Sequence, residues 1–148
     1  MASKNTETAW ALFEGFNSRD FDASLRAVSE DVVVEDRATG VTRTGPSGFR
    51  QFMQEWVDAF SNAECVNLEL IDGGDIVVAE FIGRGVNDGP LGPLPASGKP
   101  MNHRFCEILK FNEQGQLVAL TVYYDQLSML AQLGHAQQTA DVAVEKKA

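Results

Sequence analysis

The clearest periodic pattern in the chain is an apolar stripe between residues 47 and 60. Its members recur at i, i+3, i+4, i+7, i+8 and i+11, and they are Phe49, Phe52, Met53, Trp56, Val57 and Phe60. This spacing predicts an amphipathic helix that starts at Ser47, just after Pro46. Each such side chain contributes about 1.5–3 kcal/mol when it is buried. The helix is therefore expected to lie against a sheet.

Most other apolar segments have the composition of strands. The turn sequences DGGD at 72–75 and NEQG at 112–115 separate strand partners. The predicted strands are 32–36, 63–71, 76–83, 100–111 and 116–124. A loop is expected at 38–48. Residues 85–99, GVNDGPLGPLPASGK, are rich in Gly and Pro and too long for a tight turn, so we interpret them as a flap.

Three shorter helices are predicted near the ends of the chain. The first spans residues 6–17, with Thr6 as its N-cap. Asp20 is expected to cap a short second helix. Asp125 is expected to cap the last helix, which stops at Gly134.

Helices and strands are segregated along the chain, which indicates the α+β class. A strongly curved antiparallel or mixed sheet, wrapped around the long helix, would form a cone with a cavity. The length of 148 residues suggests one domain, which we assign to residues 1–134. The polar segment 135–148 is expected to be a disordered tail.

The predicted strand 100–111 carries a carboxyl group on an apolar face. Every second residue of the strand lies on that face. These residues are Met101, His103, Phe105, Glu107, Leu109 and Phe111, and all are apolar except the imidazole of His103 and the acid Glu107. Burying an unpaired carboxylate costs several kcal/mol. We therefore expect this face to line a pocket in which Glu107 holds a proton. The alternative is that Glu107 pairs with Arg104 or Arg84, or reaches solvent.

Composition excludes several classes of function. The net charge of −9 and pI near 4.6 disfavour binding to nucleic acid or anionic membranes. Cys65 and Cys106 lack metal-ligand or disulfide-framework spacing, and they indicate a reduced compartment. No signal-peptide pattern or run of about 18 apolar residues is evident. We expect a cytoplasmic protein that takes no membrane or nucleic acid as a partner.

The order of elements and two motifs resemble the nuclear-transport-factor-two-like superfamily, over roughly residues 5–134. VSEDVVVEDRATGVTRTGPSGFRQF looks like the acidic strand, glycine-containing loop and third helix of the ketosteroid isomerases, and EILKFNEQGQL looks like their hairpin. The ending VYYDQLSMLAQLG and the flap look like the SnoaL-like polyketide cyclases. The resemblance implies a cystatin-like α+β barrel.

The resemblance also implies roles for two acids. Asp36 falls where the isomerases place their catalytic base, and Glu107 falls where they carry a protonated aspartic acid. A neutral carboxyl group can donate a hydrogen bond to a ketone oxygen as negative charge develops. The alternative for Asp36 is that it ends its strand and caps the turn at 37–39. A shift of one residue would exchange it with Glu35.

The chain departs from one branch or the other at three positions. Leu12 stands where the isomerases carry a tyrosine on the first helix, and Val122 stands where the cyclases carry an acid on the last strand. Glu107 takes the place of a strand histidine of the cyclases. His103 and Glu107 are too few to bind a metal ion, so we expect none.

These observations predict a cofactor-independent acid/base enzyme, an isomerase or cyclase that acts on a small hydrophobic carbonyl or polyketide-type compound. Asp36 and Glu107 are the predicted catalytic residues, expected to meet inside one hollow. The predicted substrate-binding residues are Phe13, Phe16, Trp56, Phe60, His103, Phe105, Val122 and Tyr124. The alternative is a non-catalytic module that binds a hydrophobic ligand or mediates dimerisation.

A homodimer is also expected, because relatives in this superfamily commonly pair through the outer face of the sheet. The residues that alternate with the inward-facing ones would lie there, namely Arg104, Cys106, Ile108 and Lys110.

Overall fold

Four helices and six strands make up the fold in the computed structural model, which describes residues 3–136. In chain order they are α1 (Lys4–Ser18), α2 (Phe21–Leu25), β1 (Val28–Asp36), β2 (Val41–Thr44), α3 (Gly45–Ala59), β3 (Glu64–Asp72), β4 (Ile76–Val86), β5 (Pro100–Phe111), β6 (Leu117–Tyr123) and α4 (Gln126–Gln132). The predicted α+β class is confirmed.

The six strands form one mixed sheet, in the spatial order β2-β1-β6-β5-β4-β3. Strands β1 and β6 are parallel, and the other neighbouring pairs are antiparallel. The pairing shifts register between Val66 and Glu69 and between Lys110 and Phe111. Because such irregularities bend strands, the sheet curls around α3 and forms the predicted cone.

The long helix α3 starts at Gly45, two residues before the predicted start. Pro46 lies in its first turn. Backbone N–H groups there have no acceptor within the helix, so the N–H that proline lacks costs no hydrogen bond. Phe49 and Met53 are buried in the core, whereas Phe52 and Trp56 are only half-buried. This difference leaves two aromatic side chains of the stripe at the edge of open space inside the cone.

Two local predictions are wrong. The N-cap of α1 is Ser3, whose hydroxyl accepts a hydrogen bond from the backbone N–H of Thr6. Strand β2 lies inside the segment predicted as a loop and pairs with β1 at the edge of the sheet. Its four residues do not alternate between buried and exposed positions, so the period-2 pattern that reveals a half-buried strand is missing.

Strand β1 starts at Val28 rather than at the predicted residue 32. The two predicted aspartate N-caps are confirmed. The side chains of Asp20 and Asp125 cap α2 and α4. The flap starts two residues later than predicted, since Gly85 and Val86 complete β4. Apart from His135 and Ala136, the tail predicted to be disordered lies outside the described residues.

The flap is anchored at its base by Asn87, which is fully buried. The side-chain amide of Asn87 donates to the carbonyl groups of Ala59 and Gly89 at 3.1 and 2.9 Å. Its carbonyl oxygen accepts from the backbone N–H of Ser97 at 3.0 Å. These bonds tie both ends of the flap to the end of α3.

Candidate functional site

Glu107 lies on the inward face of β5, opposite Ala79 of β4 and Val122 of β6. Its residue exposure is only 7%, and among residues 3–136 its carboxyl group makes no hydrogen bond. Desolvation raises the pKa of Glu107 to about 8. Its side chain therefore carries a proton at neutral pH.

The alternative ion pairs for Glu107 do not form. Arg104 pairs with Glu80 at 3.1 Å, and Arg84 pairs with Glu64 at 2.8 Å. Both arginines lie at exposed positions, whereas Glu107 faces the interior. The carboxyl group is thus isolated from the nearest basic residues.

Glu107 borders a cavity of about 80 Å³, here called the inner cavity. Five of the predicted wall residues line it, namely Phe13, Phe16, Trp56, Phe105 and Val122. The exposed pair Glu64–Arg84 also lies at its border. Leu12 lines it too, at the position where the isomerases carry a tyrosine. Inside the cone, the inner cavity is an apolar space with one protonated acid.

Aromatic contacts shape this cavity around Phe105. Its ring lies 5.5 Å from Phe81, 5.6 Å from Trp56 and 4.9 Å from Tyr124, measured between ring centroids. Gly83 makes room for the ring, because a Cβ atom at that position would lie 2.7 Å from it. Gly83 could not be identified from the sequence, since a close approach between backbone and ring depends on strand register.

Asp36 ends β1 with its side chain pointing inward and a residue exposure of 9%. One carboxylate oxygen accepts from the backbone N–H groups of Ala38 and Thr39, at 2.9 and 3.1 Å. The other accepts from the hydroxyl of Tyr124 at 2.9 Å. The turn-capping alternative is therefore observed. Glu35 is oriented away from the cone and pairs with Arg37 at 3.1 Å, so Asp36 is the inward acid.

Tyr124 keeps its proton beside Asp36. Burial is the largest cause that raises the pKa of the phenol, and the negative charge of Asp36 and the hydrogen bond to it add to the effect. The phenol is thus a hydrogen-bond donor at neutral pH. This Tyr124–Asp36 pair was not predicted, because it joins residues 88 positions apart in the sequence.

Asp36 and Tyr124 border a second and larger cavity of about 560 Å³, here called the outer cavity. The flap tip, residues 90–94, lies on its opposite side. The ion pair of Arg43 with Glu55 also lines it, with nitrogen–oxygen distances of 3.0 and 2.6 Å.

The expectation that Asp36 and Glu107 share one hollow is therefore wrong. Asp36 pairs with Val122 on β1 and β6, and Val122 pairs with Glu107 on β6 and β5. The two acids point to the same side of the sheet but lie two strands apart, about 10 Å between Cα atoms. The curvature of the cone and the aromatic side chains of α3 put them in different cavities.

Two predicted binding residues line neither cavity. Phe60 is fully buried behind Trp56, with 6.3 Å between their ring centroids. His103 lies on the part of β5 beyond its pairing with β6, where its Nδ1 is 3.4 Å from the amide of Gln132 on α4. The period-2 rule identifies the face of a strand but not the depth of a residue along the cone.

No group of three or more His, Cys, Asp or Glu side chains in the described part of the chain could hold a metal ion. None of the helices within residues 3–136 has the length and apolar character that crossing a bilayer requires.

The family model of the SnoaL-like polyketide cyclases matches residues 6–133. The chain belongs to this family. No curated protein matches the sequence. A proposed polyketide cyclase from Xanthomonas campestris is 26% identical, with a TM-score of 0.78 over 88% of this chain and 96% of that one.

Two further solved structures share the fold of this SnoaL-like chain. IdmH, a proposed polyketide cyclase from Streptomyces antibioticus, has 23% identity and a TM-score of 0.76 over 89% of this chain and 99% of its own. A protein with a ketosteroid isomerase-like fold from Catenulispora acidiphila, crystallised with trimethylamine, has 20% identity and a TM-score of 0.74 over 86% and 92%. The resemblance to both branches is thus confirmed at the level of the fold.

Proposed function

We propose that the protein is a cofactor-independent acid/base enzyme, of isomerase or cyclase type, that acts on a hydrophobic carbonyl or polyketide-type compound. The observation that supports this most is Glu107, a protonated carboxyl group without an internal partner that faces an apolar cavity. A buried acid of this kind is costly unless a ligand uses it. The names of the Xanthomonas and Streptomyces relatives are consistent with this class of substrate.

In the proposed reaction, the carbonyl oxygen of the substrate accepts a hydrogen bond from Glu107. Asp36 removes a proton from a carbon that is conjugated with this carbonyl group but lies at the outer cavity, and the electron pair of that C–H bond moves along the conjugated chain to give an extended enolate. Glu107 stabilises the enolate oxygen because its proton is held in an apolar site. The enolate then either takes the proton back from Asp36 at another carbon or attacks a second carbonyl carbon to close a ring.

The second candidate function is a non-catalytic protein that binds a hydrophobic ligand. Three hydrogen bonds from protein donors already occupy Asp36, which favours a structural role for it. Leu12 and Val122 border the inner cavity at the two positions where the isomerases and cyclases carry polar groups. These features favour binding without turnover.

Deuterium exchange at C–H groups conjugated with the carbonyl group of hydrophobic ketones, followed by NMR, separates the two candidates. We expect Glu107→Gln and Asp36→Asn each to slow exchange by about 10²–10³-fold. The matched control is Glu35→Gln, because Glu35 lies outside the cone beside Arg37. If exchange is as fast in both test variants as in the control, the enzyme proposal is wrong.

We also propose that the protein is cytoplasmic and forms a homodimer through the outer face of the sheet. Ile71 is 63% exposed there, and Ile108 and Cys106 are half-buried. Replacing Ile71 with Lys should convert the dimer to a monomer in light scattering, because it puts a charge into the proposed apolar contact. A wild-type protein that is monomeric at micromolar concentration would contradict the dimer.

A further inference from the structure

The carboxyl group of Glu107 turns both of its oxygen atoms toward the inner cavity. Neither oxygen has a hydrogen-bond partner among residues 3–136. Both oxygens still have surface open to the cavity, because the one sealed side-chain atom without a partner in this part of the chain is Nε2 of His103. A protonated carboxyl group has one O–H donor and keeps an acceptor on its other oxygen. Glu107 therefore presents an unused donor and an unused acceptor side by side.

The surroundings of Glu107 in the sheet offer no polar side chain to either oxygen. Ala79 of β4 and Val122 of β6 are its cross-strand partners, and both are buried and apolar. Phe105 and Leu109 precede and follow it on the same face of β5. Buried polar groups without a partner are rare in folded proteins. Both hydrogen-bonding positions are thus open to a ligand.

The remaining polar groups of the inner cavity determine the charge that suits a ligand. Glu64 and Arg84 bond to each other at its exposed border, at 2.8 Å. Burial, followed by the charge of Glu107, raises the pKa of the Cys65 thiol, which therefore stays uncharged. The other described side chains that line the cavity are apolar or aromatic. An ionised group would be desolvated there without a counter-charge, so the cavity is suited to a neutral group.

We infer that the ligand group bound in the inner cavity is a neutral carbonyl group with an N–H or O–H donor on the same edge, as in a lactam or a hydroxyketone, and that Glu107 binds this edge through two hydrogen bonds. The carboxyl O–H donates to the carbonyl oxygen, and the second carboxyl oxygen accepts from the neighbouring donor. The inference rests on the proposed function, because it keeps Glu107 as the donor to the carbonyl oxygen. A simple ketone would leave one oxygen of Glu107 without a partner.

The second hydrogen bond also gives the site control over orientation. A single hydrogen bond lets the bound group turn about it, whereas two parallel ones fix its plane and direction. The rest of the ligand then leaves Glu107 along one line. In the proposed reaction, this orientation would select which C–H bond of a conjugated substrate is presented to Asp36.

Two ring compounds of matched shape test the inference, namely 2-pyrrolidone and cyclopentanone. Both carry a carbonyl group in a small ring, but only 2-pyrrolidone has an N–H beside it. NMR titration at pH 6, where Glu107 is protonated, follows the methyl groups of Leu109 and Val122, which line the inner cavity. We expect wild type to bind 2-pyrrolidone about fivefold more tightly than cyclopentanone, because it gains one further hydrogen bond.

Two substitutions of Glu107 should have different effects on the ratio of the two affinities. Glu107→Gln keeps a donor and an acceptor side by side, so the ratio should stay within about twofold of wild type. Glu107→Leu removes both and leaves the N–H of 2-pyrrolidone unpartnered in an apolar space, so the ratio should fall at least about tenfold. Leucine also removes a buried polar group, so this variant is expected to fold. Glu35→Gln, outside the cone beside Arg37, is the matched control and should leave both affinities unchanged.

The outcomes separate the inference from the function on which it rests. If Glu107→Leu changes the affinity of neither probe, Glu107 does not contact the ligand and the proposed function is wrong as well. If Glu107→Leu weakens both probes equally, the two-point contact is wrong while the role of Glu107 as a donor stands. A ratio that falls as far in Glu107→Gln as in Glu107→Leu contradicts the two-point contact, and so does a wild-type protein that does not bind 2-pyrrolidone at the highest soluble concentration.

Discussion

Replacing Glu107 with Gln should remove a pH dependence from the stability of the protein. In the unfolded chain the pKa of this group is 4.5, and burial raises it to about 8 in the folded protein. Between these values the unfolded chain releases its proton while the folded protein keeps it, so the free energy of unfolding falls as pH rises. Glutamine has nearly the same shape but does not ionise in this pH range, so the variant lacks this dependence of stability on pH.

The size of the effect follows from the two pKa values. Their difference corresponds to about 5 kcal/mol in the free energy of unfolding. The protein keeps this stability below pH 4.5, where both states are protonated, and has lost all of it above about pH 8. Within the accessible range from about pH 5 to about pH 8, wild type should lose about 3 kcal/mol relative to Glu107→Gln. That is a large part of the unfolding free energy of a typical domain, which is about 5–15 kcal/mol.

Urea unfolding of both proteins at a series of pH values measures the difference directly. Taking the difference between wild type and variant cancels the titration of the other groups. Glu35→Gln is the matched control for replacing a glutamate, because Glu35 is paired with Arg37 outside the cone. A difference between wild type and Glu107→Gln that stays constant with pH would refute the conclusion that Glu107 is buried as a neutral acid.

Three further substitutions test the fold around the site. Asn87→Ala should cost about 1–3 kcal/mol and speed proteolysis within the flap, because it removes the buried anchor of both flap ends; an unchanged cleavage rate would contradict that role. Gly83→Ala should cost about 1–3 kcal/mol in urea unfolding, since its Cβ would collide with Phe105, and a neutral effect would mean that the ring moves freely. Ser3→Ala should lower thermal stability by about 1 kcal/mol through the lost cap, whereas Thr8→Ala at a half-buried position of α1, which removes no cap, should have a smaller effect.

The main elements could be predicted because their patterns are long. The stripe on α3 repeats over three turns, and the alternation along β5 covers its twelve residues. Strand β2 could not be predicted, because a four-residue edge strand with exposed side chains has no pattern to distinguish it from a loop. The N-cap of α1 was misassigned because Ser3 and Thr6 are both good capping residues and the sequence does not choose between them.

The candidate site could be predicted in part for a similar reason. Alternation along β5 put Glu107 on the inward face of its strand, whereas Asp36 was chosen from the resemblance to the ketosteroid isomerases, with Glu35 left open. The register of β1, β6 and β5 puts both Asp36 and Glu107 on the inward face. The separation of the two cavities by Trp56 could not be predicted, since it depends on the curvature of the sheet and on a helix side chain that packs across it. The position of His103 beneath α4 was missed because no local pattern encodes the end of β6.

The most direct test of the account is the protonation state of the Glu107 side chain. Carbon-13 NMR of protein labelled at the glutamate carboxyl carbons, with the resonance assigned by its loss in Glu107→Gln, follows this group through a pH titration. The account predicts a resonance that stays in its protonated position at neutral pH and titrates near pH 8. A resonance that titrates near the ordinary value of 4.5 would contradict it.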